Sequence, residues 1–447
     1  MTTAESFALS LTRACGVCPG DHVLAAVSGG ADSVALLVLL GEVSRALSLT
    51  VSCAHMEHGI RGQASVEDMR FVEALCGRMG IPFYAERADV PAYARKNGLG
   101  LEDAARTLRY AFLKRTAKAV GASHIALAHH AQDQAETVLM HAARGSDVRG
   151  LCAMRSRRGD LIRPLLGETP EALRAYLRAR GQTWREDETN GDAAYARNRI
   201  RAQALPALLA AYPGAVQAMC RLAQAAQRDE AHFSALLDTL HVTRRSLVDG
   251  VALSRAELVA LDDALLGRVL VRELERAGFG TQEAGVVDKL VSAVRGEGDV
   301  NLTGGAHAHA HAGGSYVCLI RAPQAVPDTA LALTGETVTP YGVFAVRPAH
   351  DGETGDGISS QTMDESLLAG CVVTGRREGD ILVPFGRRTG VRLRKLMIDA
   401  GVERPIRNSL PILRKGDQIL WAVGLRPSEL CRAQGGRRLM VTYKSDR

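Results

Sequence analysis

The stretch that decides the fold is AAVSGGADSVALL, Ala25 to Leu37. An apolar run that reads as a buried strand enters Ser28-Gly29-Gly30-Ala31-Asp32-Ser33 and leaves as an apolar helix. Strand, glycine turn and helix N-terminus together make an anion site. The glycines let backbone N–H groups approach closely, and the helix end favours negative charge. Ser28 and Ser33 add hydroxyl donors. The loop has no Gly-Lys-Ser/Thr ending that would reach toward terminal phosphates, and no G-x-G-x-x-G dinucleotide fingerprint. An acid within such a loop repels phosphate unaided, so Asp32 makes sense beside a divalent metal or as a helix N-cap.

Outward from this loop, residues 21 to 166 alternate short apolar runs with longer periodic segments: HVLAAV, LTVSCAH, IPFYAERA and HIALAHH separated by SVALLVLLGEVSRAL, SVEDMRFVEALCGRMG and LEDAARTLRYAFLKRTAKAVG. Continuous apolar strands between helices predict a doubly wound α/β domain with a parallel sheet covered on both faces. Ligands of such sheets gather outside the carboxyl ends of the strands, where the loop after Val27 and the His129-His130 pair would lie. From about Pro206 the texture turns Ala- and Leu-rich, predicting a mainly helical second domain that closes with strands around residues 299–322. A stretch rich in Pro, Gly, Thr and Asp follows and reads as a linker with a strand or two. The last segment reads as a small α+β domain around one basic helix carrying Arg392, Arg394 and Lys395. The expected boundaries are 1–208, 209–325, 326–364 (linker) and 365–447.

With 447 residues, 46% hydrophobic and 4% aromatic, the chain can build two or three cores. Its longest unbroken apolar run, Val34 to Leu40, is far short of the roughly 18 residues of a membrane span. The first residues lack a secretory pattern, so a cytoplasmic location is the expectation. Nine scattered cysteines read as reduced thiols; Cys15 and Cys18 have no second pair at metal-ligand spacing. His307, His309 and His311 alternate with alanine and would share one strand face, read here as an exposed hairpin face rather than a metal site. From Cys371 to Arg447 there are 17 Lys/Arg against 7 Asp/Glu, while the rest of the chain is net acidic. Such a segment suits a polyanion, nucleic acid first, or simply a solubilising surface.

Asp133 and Glu136, at i and i+3 of a helix just after His129-His130, present two carboxylates on one face. They could hold a cationic amine and help remove its proton. Arg106 and Arg109 have the same spacing on another helix and could stabilise phosphate. In YARNRIR, Tyr195 to Arg201, the cluster that includes Arg197 and Arg201 fits either RNA backbone contacts or a structural clamp on the α/β domain.

SGGADS after LAAV resembles the PP-loop of the N-type ATP pyrophosphatases, which split ATP to AMP and pyrophosphate while adenylating a carbonyl oxygen. AHMEHGIRGQASVEDMRFV, LEDAARTLRYAFL, AHHAQDQAETVLMHAARGS, RPLL, DETNGDAAYARNRIR and the C-terminal REGDILVPFG and LRKLMIDAGVERPIRNSLPIL further resemble one branch, the bacterial tRNA(Ile)-lysidine synthases. That resemblance implies a ligase that joins L-lysine to C2 of the wobble cytidine of a CAU-anticodon tRNA(Ile) through an adenylate. It implies ATP at Ser28, Gly29, Gly30, Ala31, Asp32 and Ser33, with Mg2+ at Asp32 and His129 facing the α-phosphate. Arg109 would steady the adenylate, and Asp133 and Glu136 would hold lysine. His55 would lie near the nucleotide or serve as a buried structural histidine. Arg197, Arg201, Arg392, Arg394 and Lys395 would meet tRNA. No membrane partner is implied, and a homodimer is left open. Many relatives carry two acids where this chain has Gln132-Asp133; the retained acid is the one three residues before Glu136, and the departure bears only on a role for position 132. Two other readings stay open: a tRNA thiolase, which needs a cysteine pair beside the α/β domain where Cys53, Cys76 and Cys152 look isolated, and a non-catalytic RNA-binding protein.

Overall fold

Strands that are apolar on both faces have to be covered on both sides, and the N-terminal part of the chain does this around six strands. The computed structural model describes residues 3–57, 59, 63–186, 196–280, 282–296, 298–302, 309–321, 327–432 and 435–445. The chain divides into two units, Met1–His232 and Phe233–Arg447, with the division inside the long helix Ala215–Thr239.

In the first unit β1 (His22–Ala26) leads to α1 (Ala31–Ser44), β2 (Thr50–Glu57), α2 (Gln63–Met79) and β3 (Phe83–Arg87). Then come α3 (Leu101–Val120), β4 (His124–Ala126), α4 (Ala131–Ala143), β5 (Arg157–Arg158), β6 (Leu161–Ile162) and α5 (Pro170–Ala179). The strand order is β3-β2-β1-β4-β6-β5. All neighbours are parallel except the β5–β6 edge. This is the parallel α/β sheet that the alternating apolar runs predict. Its order reverses between β1 and β4, where Ala25 lies beside Cys53 on one side and Ala126 on the other. Such a reversal splays the loops that follow the two strands and opens a crevice between them.

Helix α1 buries Ala31, Ser33, Val34, Ala35, Leu36, Leu37, Leu39, Leu40 and Val43. A helix buried almost all round needs an unbroken apolar run rather than a stripe, which is what Val34 to Leu40 supplies. Each fully buried leucine there contributes about 1.5–3 kcal/mol. The helix that carries the phosphate-type loop is therefore fixed from behind. After α5, a short helix α6 (Ala196–Arg199) runs on through a wider turn, Ile200–Ala204, into α7 (Leu205–Ala211).

The second unit contains α8 (Asp263–Arg276), α9 (Ala284–Gly296) and an antiparallel five-stranded sheet built from residues 244–254, 298–301 and 309–320. The expected helices of the middle segment are there, backed by more strand than the sequence suggested. His309 and His311 lie on the middle strand His309–Gly313; His307 lies outside the described residues.

Beyond it, residues 326–364 differ from the expected linker. Strands Gly335–Thr339, Gly342–Pro348 and Ser360–Asp364 form a four-stranded sheet with Arg438–Lys444. Phe344, Val346 and Met363 share a core with Trp421, Leu439 and Val441. The Thr- and Gly-rich texture comes from short strands with one wet face, which look like loop in sequence. Among the described residues, no helix is long and apolar enough to cross a membrane.

Candidate active site

The loop after β1 is held open by its own side chains. Gly29 sits at φ +102°, a backbone conformation L side chains avoid, and this turns the loop toward α1. Gly30 occupies the N-cap position with extended backbone, so Asp32 is not the cap and its side chain is left for other use. The Ser33 hydroxyl accepts from the N–H groups of Ser28 and Gly29, both at 3.2 Å, and donates to the Gly30 carbonyl at 2.9 Å. Ser33 thus shapes the loop, while the first N–H groups of α1 face the crevice without helical partners. His55 supports the same loop from beneath: its buried Nδ1–H donates to the Val27 carbonyl at 2.9 Å. Burial lowers its pKa, which suits that neutral donor role.

Across the crevice the chain leaving β4 enters α4 at His130, which is the N-cap. The Asp133 N–H bonds His130 Nδ1, and the His130 N–H bonds Asp133 Oδ2 at 3.1 Å, a reciprocal capping box. The other imidazole nitrogen, Nε2, lies 3.5 Å from Asp32 Oδ2 and 3.5 Å from Asp133 Oδ2. His130 therefore bridges the phosphate-type loop and the carboxylate pair. Burial opposes its charge, but Asp32 and Asp133 outweigh burial and raise its pKa.

His129 is tuned the other way. Burial, reinforced by the charges of Arg163, Arg197 and Arg109, pushes it down to about 4, against the pull of Asp133. At neutral pH it is an uncharged imidazole whose buried Nδ1 has no hydrogen-bond partner among the described residues. For Asp133, burial pushes the carboxyl up, yet His130, Arg197 and His129 together hold it below the ordinary value.

The carboxylates are already occupied. Arg197 donates Nη2 to Asp133 Oδ1 at 2.8 Å and Nε to Glu136 Oε2 at 2.9 Å. Arg201 donates Nε to Glu136 Oε1 at 2.6 Å and Nη2 to Asp133 Oδ1 at 2.9 Å. Of the two roles the sequence allowed for YARNRIR, the clamp is seen here, because both guanidiniums are hydrogen-bonded to the carboxylates. Tyr195 lies outside the described residues.

A cavity of about 400 Å³ gathers most of the expected residues. Ser28, Gly30, Asp32, Ser33, Arg109, His129, His130, Asp133 and Arg201 line it. Gly29 and Ala31 belong to the same loop, whereas His55 and Glu136 stand behind it and act through Val27 and the clamp. Tyr110, Asp68 and Arg185 also line the cavity and were missed. Arg185 is anchored to Asp68 at 2.9 Å and donates its backbone N–H to the Gly29 carbonyl. Nothing local in the sequence signals that a residue so far along the chain closes on the glycine turn. His130 was legible only as half of a His-His pair. Arg106 lies on α3 next to the site, 5.0 Å from the Tyr110 ring. Cys53 and Cys76, isolated in sequence, are buried neighbours that share a side-chain hydrogen bond, and neither lines the cavity.

A parallel sheet with this loop at its reversal defines a PP-loop protein, and residues 4–208 match the PP-loop domain family. Residues 371–442 match a second family, the TilS substrate C-terminal domain. A tRNA(Ile)-lysidine synthase of Geobacter sulfurreducens is 35% identical over 453 residues, covering 95% of this chain and 93% of that protein. The synthase of Symbiobacterium thermophilum is 33% identical, with 95% and 93% covered. That of Thermus thermophilus is 42% identical over 279 residues, with 62% and 53% covered. The chain belongs to the tRNA(Ile)-lysidine synthase family, and with it to the ATP-using enzymes that modify tRNA.

Proposed function

We propose that this protein ligates L-lysine to C2 of the wobble cytidine of a CAU-anticodon tRNA(Ile), consuming ATP and releasing AMP and pyrophosphate. The observation that carries the reading is the meeting, around one cavity, of an anion loop that has no γ-phosphate lysine and a buried carboxylate pair joined to it by His130.

The cytidine C2 carbonyl oxygen attacks the α-phosphorus of ATP, and pyrophosphate leaves. The loop N–H groups and the α1 N-terminus suit the departing phosphates, while Arg109 and neutral His129 suit the α-phosphate. The ε-amine of lysine, having lost its proton, then attacks C2. AMP leaves with the former carbonyl oxygen, giving lysidine. Asp133 offers the ammonium an anionic acceptor at the cavity wall, and Glu136 a second one behind it once an arginine is displaced. Held below the ordinary value, Asp133 orients that ammonium better than it deprotonates it. Because Arg197 and Arg201 now fill the same acceptors, lysine binding requires an exchange of cations.

Asp32 Oδ1 is buried beside the loop with no hydrogen-bond partner among the described residues, the kind of hard oxygen that Mg2+ takes along with substrate phosphates. The residues present fit Mg2+, which when bound would neutralise phosphate charge. The cytoplasm, where lysine and tRNA meet, is the compartment this reading implies.

Incubation with ATP, Mg2+, labelled lysine and CAU-anticodon transcripts tests it. Label on tRNA(Ile) but not on tRNA(Met), with stoichiometric AMP, is expected. Sulfur-donor-dependent modification without lysine label would overturn the assignment in favour of a thiolase.

A further inference from the structure

The glycine turn of the phosphate-type loop is seated on three residues from elsewhere in the first unit. Side-chain atoms of Val72, Arg185 and Asp68 lie 3.6, 3.8 and 3.9 Å from the place a Cβ on Gly29 would take. The Arg185 backbone N–H donates to the Gly29 carbonyl at 3.0 Å. Its guanidinium reaches back to α2, donating Nε to the buried Asp68 at 2.9 Å and Nη2 to Glu67 at 3.1 Å. Both ends of this link are fixed. Val72 and Leu75 of α2, and Trp184 just before Arg185, pack into the same core as Leu36 and Leu40 of α1.

The link decides which way one peptide faces. In a trans peptide the carbonyl oxygen and the N–H that follows it point to opposite sides. With the Gly29 carbonyl turned to Arg185, the Gly30 N–H is turned away from it and has no hydrogen-bond partner among the described residues. Gly30 lines the cavity. The N–H groups of Ser28 and Gly29 are already taken by the Ser33 hydroxyl, so Gly30 supplies the first donor that the loop has left for an anion. The same bond bears on the helix. The Gly29 carbonyl is the acceptor through which α1 would wind one residue further back, to the Ser33 N–H. Held by Arg185, it leaves that N–H among the donors of the helix end that have no backbone partner in the described residues. Donors fixed in advance need no rearrangement when charge arrives. Charge by itself argues the other way, because two acids against one guanidinium beside a phosphate site oppose anion binding. What Asp68 and Glu67 contribute is position.

We propose that Arg185, held by Asp68, is a positioning residue of the phosphate loop: it fixes the Gly29–Gly30 peptide so that the Gly30 N–H is presented to an ATP phosphate. This deepens the reading of the cavity as an ATP site and rests on it. Arg185 acts through Gly29, and Asp68 acts through Arg185.

The test uses the full-length protein. ATP binding is measured by calorimetry without tRNA or lysine, and KM and kcat for ATP are measured in lysine incorporation. Arg185→Ala, Arg185→Lys, Asp68→Ala and the double variant Arg185→Ala/Asp68→Ala are compared, with urea midpoints as the check on folding. Arg185→Ala is expected to raise Kd and KM for ATP roughly 10-fold, the scale of one hydrogen bond to a charged group, with kcat within about 2-fold of wild type. Arg185→Lys, which can still pair with Asp68, recovers part of that loss. The double variant binds ATP no more weakly than Arg185→Ala. Asp68→Ala separates position from charge: removing an acid beside phosphates tightens ATP binding by charge alone, whereas removing the anchor weakens it, and weaker binding is expected. The Arg185 side chain is 42% exposed, so its variants decide the matter if Asp68→Ala fails to fold. Tighter binding in a folded Asp68→Ala, or wild-type Kd in Arg185→Ala, would overturn the proposal. So would a fall in kcat with KM unchanged. A wild type that binds no ATP would overturn it together with the ATP site. Weakened ATP binding in the variants of a protein that incorporates no lysine would leave the positioning role standing and remove the lysine ligase reading.

Discussion

Arg201 grips Glu136 through two hydrogen bonds, Nε to Oε1 at 2.6 Å and Nη2 to Oε2 at 2.9 Å, and Glu136 is wholly buried at 0% exposure. A buried carboxylate with no partner is costly, so the arginines supply what the interior cannot. Because Arg197 holds the same two acids, α4 is tied to the 196–204 segment through four charged groups. The acids expected to receive a substrate cation are thus oriented by cations of the chain itself.

Glu136→Gln leaves two guanidiniums sharing Asp133 alone. Breaking a buried pair costs about 3–5 kcal/mol, but both arginines are about one-third exposed and water takes up part of the loss, so about 2 kcal/mol is expected in urea unfolding. Arg201→Ala combined with Glu136→Gln should cost less than the two single changes added together. Strict additivity would mean that the pair contributes nothing to the fold.

Asp133→Asn keeps the volume and the cap geometry while removing charge from the acceptor that both arginines share. Lysine transfer is expected to fall at least 100-fold, with adenylated RNA still formed when lysine is withheld. Trapping the RNA with labelled ATP and counting lysine label separates the two steps. Full turnover would take Asp133 out of the chemistry.

Much of this site is legible in sequence, for a physical reason. Residues that make a phosphate loop are consecutive, and those of α4 repeat at helical spacing, so SGGADS and Asp133/Glu136 each carry a local signature. The relation between arginines and acids does not, because it joins residues 61 to 68 positions apart. It leaves only a complementarity, Arg197 and Arg201 at i,i+4 matching acids at i,i+3 on another helix. His55 was ambiguous because a histidine at a strand end looks alike whether it faces a ligand or a carbonyl; the structure shows the bond to the Val27 carbonyl. Residues 326–364 misled because strands of a small two-faced domain need only every second residue apolar, and Thr and Gly fill the rest.

Gly29→Ala tests the loop without changing its chemistry. An added Cβ would meet Val72 Cγ2 at 3.6 Å, Arg185 Cγ at 3.8 Å and Asp68 Cβ at 3.9 Å, all ordinary contacts, so room is not the issue; the φ of +102° is. The strain costs on the order of 1–2 kcal/mol, and the loop can relieve it by swinging away from Ser33. KM for ATP is therefore expected to rise at least 10-fold in a pyrophosphate-release assay, with tRNA binding unchanged. An unaltered KM would show that the ligand does not need this backbone shape.

His129 sets a pH dependence whose sign follows from its depressed pKa. In the unfolded chain it titrates near 6.5, in the fold near 4. Between those values the unfolded state binds more protons than the folded one, so stability rises with pH through this window and is lost on acidification. The loss is on the order of a few kcal/mol once the pH reaches 4. His129→Gln removes the titrating group, and its urea midpoint should decline less than that of the wild type between pH 7.5 and pH 4.5. Substrate-free protein is the sample to use, since bound phosphates would favour the protonated imidazole. If wild type and variant lose stability in parallel, His129 is not the neutral imidazole that lines this cavity.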